Sequence, residues 1–219
     1  MSVWVVVVAA GRGRRFGAPK HFAPLHGRAM VQWAVDGARA VADGVVLVLP
    51  GDQGGDGATD IDGVTDVTGV DVIVPGGDTR AASVRAGLAA VPDTAEVIVV
   101  HDGARPLASP ALFRAVVHAV TDGADAAVPA LAVTDTLKRV EGDAVVATVA
   151  REGLVAVQTP QAFGAALLRR AHRSEPEATD DAGLVESLGA TVRVVPGDPR
   201  NIKVTTATDL EVARALTTP

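Results

Sequence analysis

The sequence predicts an α/β fold in which helices cover both faces of an open, mostly parallel β-sheet. Apolar runs of strand length alternate with helix-length segments along most of the chain. The first run, residues 3–10, is apolar throughout, as expected for a parallel strand that is buried on both faces. Because parallel strands need crossover connections, this alternation places helices on both sides of one sheet. The predicted architecture is therefore Rossmann-like.

Local signals predict the other elements. Apolar strands are expected at residues 45–49, 70–74, 97–100, 124–129 and 191–195, with a further short strand at 201–205. Helices are expected at residues 29–42, 80–90, 164–173 and 180–188. Ser109 should cap a helix that ends near Val120, and Thr208 should cap a last helix that ends at Leu216. Residues 50–69 are rich in glycine, aspartate and threonine, which indicates a loose connection.

The alternating rhythm changes between residues 132 and 157. Threonine, valine and charged residues alternate there around Glu141-Gly142-Asp143, a turn signal between two strand-like runs. We expect a projecting β-hairpin arm at this place. No repeat and no domain boundary is visible, so the chain is expected to form a single domain over residues 1–219.

The composition of the 219 residues fits one domain with a substantial core, since 48% are hydrophobic and 21% are charged. These values exclude a disordered chain. No apolar run reaches the roughly 18 residues that span a bilayer, and no signal peptide is recognised. The absence of cysteine excludes a thiolate nucleophile, a disulfide framework and a zinc ribbon. We therefore expect a cytoplasmic protein with no membrane partner.

The charge balance argues against nucleic acid as a partner. The 26 acidic residues outnumber the 20 basic residues, for a net charge of −6, so a large basic face is not expected. Only three basic residues are lysines: Lys20, Lys138 and Lys203. A lysine that is retained in an arginine-rich chain indicates a crowded anion, because an ammonium is compact and a guanidinium is broad. A codon bias towards arginine is the alternative explanation.

The loop after the first strand is the first candidate site. Its glycines, Gly11 and Gly13, let backbone N–H groups approach a phosphate closely. Its four cations indicate several phosphate charges, as on a nucleoside triphosphate: Arg12, Arg14, Arg15 and Lys20. The loop lacks the ending of a Walker A motif. It is a near miss to the dinucleotide fingerprint, which leaves open a nicotinamide-dependent oxidoreductase with Asp52 at the ribose.

Further motifs follow in order along the chain. Two of them come after predicted strands: Gly76-Gly77-Asp78-Thr79-Arg80-Ala81-Ala82-Ser83 and His101-Asp102-Gly103-Ala104-Arg105-Pro106. The others are Asp135-Thr136-Leu137-Lys138-Arg139, Gln158-Thr159-Pro160-Gln161, Thr179-Asp180-Asp181 and Asn201-Ile202-Lys203-Val204-Thr205. Together with the first loop, this series resembles the cytidylyltransferases of the non-mevalonate isoprenoid pathway, and the resemblance runs from Val5 to about Arg214.

The resemblance implies an enzyme that forms a CDP-linked alcohol and pyrophosphate from CTP and 2-C-methyl-D-erythritol 4-phosphate. It implies magnesium (Mg2+) held mainly by the CTP phosphates, and a homodimer in which the arm crosses to the partner subunit. The residues implied for catalysis are Arg15, Lys20 and Lys203. Those implied for CTP binding are Ala10, Gly11, Gly13, Gly77, Asp78, Ser83, Asp102 and Arg105. Those implied for binding the polyol phosphate are Thr136, Arg151, Thr159 and Thr179.

Three alternatives stay open from the sequence. A cytidylyltransferase for another polyol phosphate, such as ribitol 5-phosphate, would share the nucleotide half of the site. An NAD-dependent oxidoreductase would leave Lys20 and Lys203 unexplained, and a catalytically inactive nucleotide-binding module would not need them. Simpler, structural roles also stay open for three residues of these motifs. Asp180 and Asp181 could be helix N-terminal charges, and His101 could pack or hydrogen-bond locally.

Overall fold

The structure is a computed structural model that describes residues 1–11, 20–51, 67–173 and 180–217. Within these residues the strands are β1 Val3–Val8, β2 Pro24–Leu25, β3 Arg28–Ala29, β4 Gly44–Leu49, β5 Val72–Pro75, β6 Val97–Asp102, β7 Ala126–Ala132, β8 Leu137–Glu141, β9 Ala144–Val149, β10 Val155–Val157, β11 Gln161–Gly164 and β12 Val192–Pro196. The α-helices are α1 Met30–Arg39, α2 Arg80–Ala90, α3 Pro110–Thr121, α4 Ala165–His172, α5 Asp181–Glu186 and α6 Ala207–Leu216.

The central sheet has eight strands and confirms the predicted open, mostly parallel arrangement. Its strands β5, β4, β1 and β6 lie side by side and run parallel. The antiparallel strand β11 pairs with both β6 and β7, and β7 also pairs with β10 and β12. Val8 at the end of β1 is in register with Val48 of β4 and with Asp102 of β6. These strands therefore end at one edge of the sheet.

Two apolar layers hold the helices on opposite faces of this sheet, as predicted. Val35 of α1 and Phe113 of α3 belong to one buried cluster with Val5 of β1. Val84 of α2 belongs to another buried cluster with Val6 of β1, and α4 and α5 join it there. Successive side chains of a strand point to opposite faces, so the continuous valine run of β1 supplies both layers. A smaller cluster joins α6 to the β2–β3 hairpin.

The predicted hairpin is present as β8 and β9, which pair only with each other in a separate two-stranded sheet of the described structure. Gly142 in its turn has a φ of 61°, a backbone conformation that glycine adopts without a steric penalty. Ala132 of β7 pairs with Val155 of β10 at the base of the hairpin. Most side chains of β8 and β9 are exposed. The hairpin therefore projects from the sheet as an arm.

The structure corrects two local predictions. The strand expected at 201–205 is wrong, because the structure assigns no strand to that segment. The cap expected at Thr208 is also wrong, because the hydroxyl of Thr206 accepts a hydrogen bond from the Asp209 N–H at 3.2 Å. The Asp209 carboxylate in turn accepts from the Thr206 N–H at 2.8 Å, which completes a capping box. In the part of the chain that the structure describes, no helix is long and apolar enough to cross a bilayer.

Candidate active site

The loop before α2 meets the end of β1 at the carboxyl edge of the sheet. A Cβ atom on Gly76 would lie 2.3 Å from Cβ of Ala10 and 2.8 Å from Oγ of Ser83, so only glycine fits between them. The Ser83 hydroxyl donates to the carbonyl of Thr79 at 2.9 Å, within α2 and its cap. The structure thus brings together the predicted CTP-binding residues Ala10 and Ser83.

Gly77 and Asp78 lie exposed at the tip of this loop. A Cβ atom on Gly77 would lie 2.5 Å from Cβ of Ala82, which excludes larger residues without a shift of the backbone. Thr79 caps α2, because its hydroxyl accepts from the Ala82 N–H at 3.1 Å. The loop is therefore fixed tightly at both sides while its tip faces solvent, as a loop that contacts a ligand must be.

Asp102, the last residue of β6, holds the predicted catalytic lysine. The Lys203 ammonium donates to Oδ2 of Asp102 at 2.7 Å, and Nε of Arg80 lies 3.5 Å from its Oδ1. The Asp102 side chain is 11% exposed, whereas that of Lys203 is 44% exposed. A half-exposed ammonium held by a buried carboxylate can turn towards an anion that enters from solvent. This geometry suits the binding of phosphate.

Asp102 stays ionised in this environment. Burial alone would raise its pKa, but the charges of Lys203 and Arg80 and the Lys203 hydrogen bond outweigh burial and hold the pKa well below the ordinary aspartate range. The site therefore has a fixed negative charge between two cations near neutral pH. A fixed charge of this kind keeps Lys203 oriented before any ligand arrives.

A chain of hydrogen bonds orients Asp102 from behind. The hydroxyl of Thr159 accepts from the Asp102 N–H at 3.0 Å and lies 3.0 Å from Nδ1 of His101. Nε2 of His101 lies 3.2 Å from the carbonyl of Arg105. A carbonyl can only accept, so Nε2 carries the proton, and Nδ1 accepts from the Thr159 hydroxyl. This order uses every donor once and requires a neutral imidazole.

Burial of His101 is the main reason for its neutral state. The residue is fully buried, and desolvation lowers its pKa to about 4 although the Asp102 carboxylate is near. The ring also meets that of Phe113 edge-on, with centroids 4.9 Å apart. His101 is thus a structural support for Thr159 and Asp102, in agreement with its predicted local role.

Two buried amides fix the segment that carries Lys203. The side chain of Gln158 donates to the carbonyl of Asp198 at 2.9 Å and accepts from the Asp198 N–H at 3.1 Å. The Asn201 side chain donates to the carbonyl of Thr159 at 2.8 Å, and the Asn201 backbone carbonyl accepts from the Arg105 guanidinium at 2.7 Å. These contacts replace the ladder of the strand predicted at 201–205. They place Lys203 opposite the end of β6.

The other predicted site residues lie elsewhere. Arg151 is exposed and donates to the carbonyl of Thr134 at the base of the arm, and Thr136, the residue before β8, is also exposed. Gly11 follows β1 at the sheet edge, and the backbone of Lys20 begins a short 3-10 turn. Six residues of interest lie outside the described residues: Arg12, Gly13, Arg14, Arg15, Asp52 and Thr179.

The comparisons with known proteins agree with this geometry. The family model of 2-C-methyl-D-erythritol 4-phosphate cytidylyltransferase matches residues 3–218. The chain belongs to this family. A relative of that name from Nocardia farcinica is 47% identical over 220 residues, which cover 98% of this chain and 94% of the relative. Another, from Streptomyces avermitilis, is 44% identical over 229 residues, which cover 96% of this chain and 90% of the relative.

Solved structures of the family have the same fold. The crystal structure of 2-C-methyl-D-erythritol 4-phosphate cytidylyltransferase from Thermus thermophilus superposes with a TM-score of 0.79 at 39% identity, over 99% of this chain and 98% of that one. The 4-diphosphocytidyl-2C-methyl-D-erythritol synthase from Anaerococcus prevotii superposes with a TM-score of 0.80 at 30% identity, over 98% and 97%. The predicted fold class and enzyme class, a cytidylyltransferase, are confirmed.

Sequence reasoning missed two charged residues beside the site. Arg80 belongs to the motif that begins at Gly76, but the sequence assigns it no role, and Asp181 is predicted only as a possible charge at a helix N-terminus. In the structure Nη1 of Arg80 lies 2.9 Å from Oδ2 of Asp181, a side chain that is 1% exposed. The alternation of charge along Asp78-Thr79-Arg80 gave no hint of this pairing, because the partner lies about a hundred residues further along the chain.

Proposed function

We propose that this member of the cytidylyltransferase family transfers the cytidylyl group of CTP to 2-C-methyl-D-erythritol 4-phosphate at the carboxyl edge of its sheet. The observation that carries the proposal is the Lys203 ammonium, held 2.7 Å from Asp102 on the edge where the Gly76 loop meets Ala10. Nucleotide sites in open α/β sheets lie at the carboxyl ends of the strands, and a cation that can bind phosphate and a tight glycine loop meet there in this protein.

The reaction needs no nucleophile from the protein. An oxygen of the polyol phosphate attacks the α-phosphorus of CTP in line and forms the new P–O bond. The bond from that phosphorus to the oxygen bridging to the β-phosphate breaks, and pyrophosphate leaves with the electron pair. Charge grows on the α-phosphate oxygens, so ammonium and guanidinium groups placed beforehand lower the barrier. We assign this role to Lys203 on one side, and to Lys20 and Arg15 from the first loop on the other.

The remaining nucleotide contacts divide between base, ribose and phosphates. Gly77, Asp78 and Ser83 are proposed to read the cytosine edge, since the exposed loop tip is held rigidly by α2. Backbone N–H groups of the first loop are proposed to bind the triphosphate, at Ala10, Gly11 and Gly13. Asp102 and Arg105 are proposed to lie near the ribose and the phosphates.

Magnesium is the proposed cofactor. The ion is proposed to be held mainly by the phosphates of CTP, as the resemblance implies. Magnesium prefers oxygen ligands and keeps several waters when it binds phosphates. Asp102, which holds Lys203 at 2.7 Å, is proposed to lie near the metal-bound phosphates. The ion would neutralise charge on the triphosphate, while Lys203, Lys20 and Arg15 orient the α-phosphate.

The polyol phosphate is proposed to bind between the sheet edge and the arm of a partner subunit. Thr136 and Arg151 of the arm are the proposed ligands, with Thr159 and Thr179 of the body. The hydroxyl of Thr159 already bonds His101 and Asp102, so its strongest effect is on the position of Asp102. Large apolar side chains on the arm are exposed: Val140 by 57%, Val145 by 60% and Val146 by 48%. Val140 and Val145 are paired across the two strands, and exposed valines on a projecting arm suit burial in a homodimer.

Two broader assignments complete the proposal. We propose that residues 1–219 form one nucleotidyltransferase domain, with a dimerisation arm at 132–157. A cytoplasmic location stays a prediction from the sequence, as does the absence of nucleic-acid and membrane partners.

A pyrophosphate-release assay with magnesium tests the proposed function. The purified protein is given CTP with 2-C-methyl-D-erythritol 4-phosphate, and in parallel CTP with ribitol 5-phosphate. We expect rapid release with the methylerythritol substrate, and a higher kcat/KM for CTP than for ATP, GTP or UTP. Faster turnover with ribitol 5-phosphate would move the assignment to that substrate. Calorimetric binding of NAD without binding of CTP would refute a cytidylyltransferase site.

A further inference from the structure

A row of polar and charged side chains leads from the interior of the protein to Lys203. Nε2 of His172 lies 3.0 Å from Oδ1 of Asp181, and Oδ2 of Asp181 lies 2.9 Å from Nη1 of Arg80. Nε of Arg80 lies 3.5 Å from Oδ1 of Asp102, and Oδ2 of Asp102 accepts from Lys203 at 2.7 Å. The row thus connects α4, α5, α2 and the end of β6 with the proposed catalytic lysine.

The two contacts of Arg80 differ in length. The guanidinium lies 2.9 Å from Asp181 but 3.5 Å from Asp102. Burial would favour loss of its charge, but the two carboxylates outweigh burial and raise the pKa of Arg80. Arg80 is therefore a permanent cation whose guanidinium lies closer to the carboxylate farther from the site, and it reaches the nearer one, Asp102, through a long hydrogen bond of 3.5 Å from Nε. Asp102 is left with one short contact, the one to Lys203.

We propose that Asp181 positions Lys203 by holding Arg80 away from Asp102. The catalytic role of Lys203 rests on the proposed function, whereas the series of contacts from Asp181 through Arg80 to Asp102 does not depend on it. Without the charge of Asp181, Arg80 would have Asp102 as its nearest carboxylate and would close onto it. Arginine can bind a carboxylate through two parallel hydrogen bonds, so it would displace the half-exposed ammonium of Lys203. Asp181 then acts on the reaction without touching a substrate.

Asp181 also has a purely structural contact that must be separated from this role. Its Oδ1 faces His172 of α4, a residue that is 4% exposed. That contact ties α4 to α5 and does not reach the site. The two carboxylate oxygens therefore belong to two branches, one towards His172 and one towards Arg80. Each branch can be cut by a separate substitution.

The experiment compares four proteins in the pyrophosphate-release assay: wild type, Asp181→Asn, His172→Leu and the double variant Asp181→Asn/Arg80→Met. We expect Asp181→Asn to lower kcat about tenfold with KM for CTP changed less than about twofold, since Lys203 acts mainly in the transition state. His172→Leu should lower the midpoint of thermal unfolding and leave kcat within about twofold of wild type. The double variant lacks the competing cation, so its kcat should return to within about threefold of wild type.

The double variant tests the proposal even if Asp181→Asn does not fold. It removes both charges of the Arg80–Asp181 pair and so leaves no buried cation without a partner. A double variant as slow as Asp181→Asn, or more than about tenfold slower than wild type where the single variant is unfolded, would overturn the proposal. So would a loss of kcat in His172→Leu equal to that in Asp181→Asn. If instead the proposed function were wrong, wild type itself would be inactive with both substrates, so the two failures can be distinguished.

Discussion

Lowering the pH from 7 to 4 should destabilise the folded protein through His101. This imidazole is fully buried and neutral, with Nε2 donating to the Arg105 carbonyl and Nδ1 accepting from the Thr159 hydroxyl. A second proton on Nδ1 would face a hydroxyl that is already oriented by the Asp102 N–H. Protonation would therefore make the Thr159 hydroxyl rotate and lose the acceptor of its hydrogen, and it would place a charge on a fully buried ring, so the folded state disfavours it.

The size of the effect follows from the two protonation equilibria. Burial lowers the pKa of His101 from 6.5 to about 4 in the folded state. Above pH 6.5 the ring is neutral in both states, and the stability is complete. Between pH 6.5 and 4 only the unfolded state takes up the proton, so the free energy of unfolding falls as the pH falls. The loss amounts to about 2 kcal/mol at pH 5 and about 3 kcal/mol at pH 4, and then levels off.

Urea unfolding at pH 7, 6, 5 and 4 measures this loss. The replacement His101→Gln removes the titrating ring, so between pH 7 and 4 this variant should lose about 3 kcal/mol less than wild type. His118→Gln, at an exposed position on α3, is the matched control and should follow the wild-type curve. If His101→Gln keeps the full pH dependence of wild type, the reasoning about the neutral buried imidazole is refuted.

Three further predictions concern the site and its assembly. Lys203→Ala and Lys20→Ala should each lower kcat at least about 100-fold with an intact fold by circular dichroism, and near-normal turnover of either would contradict its role. Gly76→Ala should cost about 1–3 kcal/mol in urea unfolding, because its Cβ would lie 2.3 Å from Cβ of Ala10; an unchanged midpoint would mean that the loop can move apart freely. Mixed dimers of Arg151→Ala and Lys20→Ala chains should regain turnover that neither homodimer has, whereas no recovery would show that each arm serves its own subunit.

The parallel half of the fold could be predicted because its signals are local. The valine run of β1 and the glycine loops after β1 and β5 depend only on neighbouring residues, and the strands formed where expected. The short antiparallel strand β11 was not predicted, because Gln161–Gly164 has only four residues and directly follows Thr159-Pro160, a segment typical of a loop. Its place in the sheet is decided by pairing with β6 and β7, which no local pattern contains.

The charged residues of the site also divide into features that local sequence predicts and features that only the fold brings together. Asp102 and Lys203 could be named from motifs, but their contact spans 101 residues of sequence and required the fold. The segment around Asn201 was mistaken for a strand because its apolar residues alternate with polar ones. The segment is instead held by side-chain amides, since Gln158 donates to the backbone of Asp198 and Asn201 donates to the backbone of Thr159. Hydrophobic periodicity carries no information about such contacts.

The pairing of Ala132 with Val155 has a consequence for how the protein can evolve. The chain leaves the sheet and returns to it at directly opposed residues, so the segment between them is an insertion that the sheet does not need for its own pairing. Length and sequence can change there without a change in strand order. Selection could thus exchange the arm, which is proposed to recognise the acceptor alcohol, and conserve the sheet edge, which is proposed to recognise the nucleotide. A family with one nucleotide and several acceptors is the expected product of such an architecture.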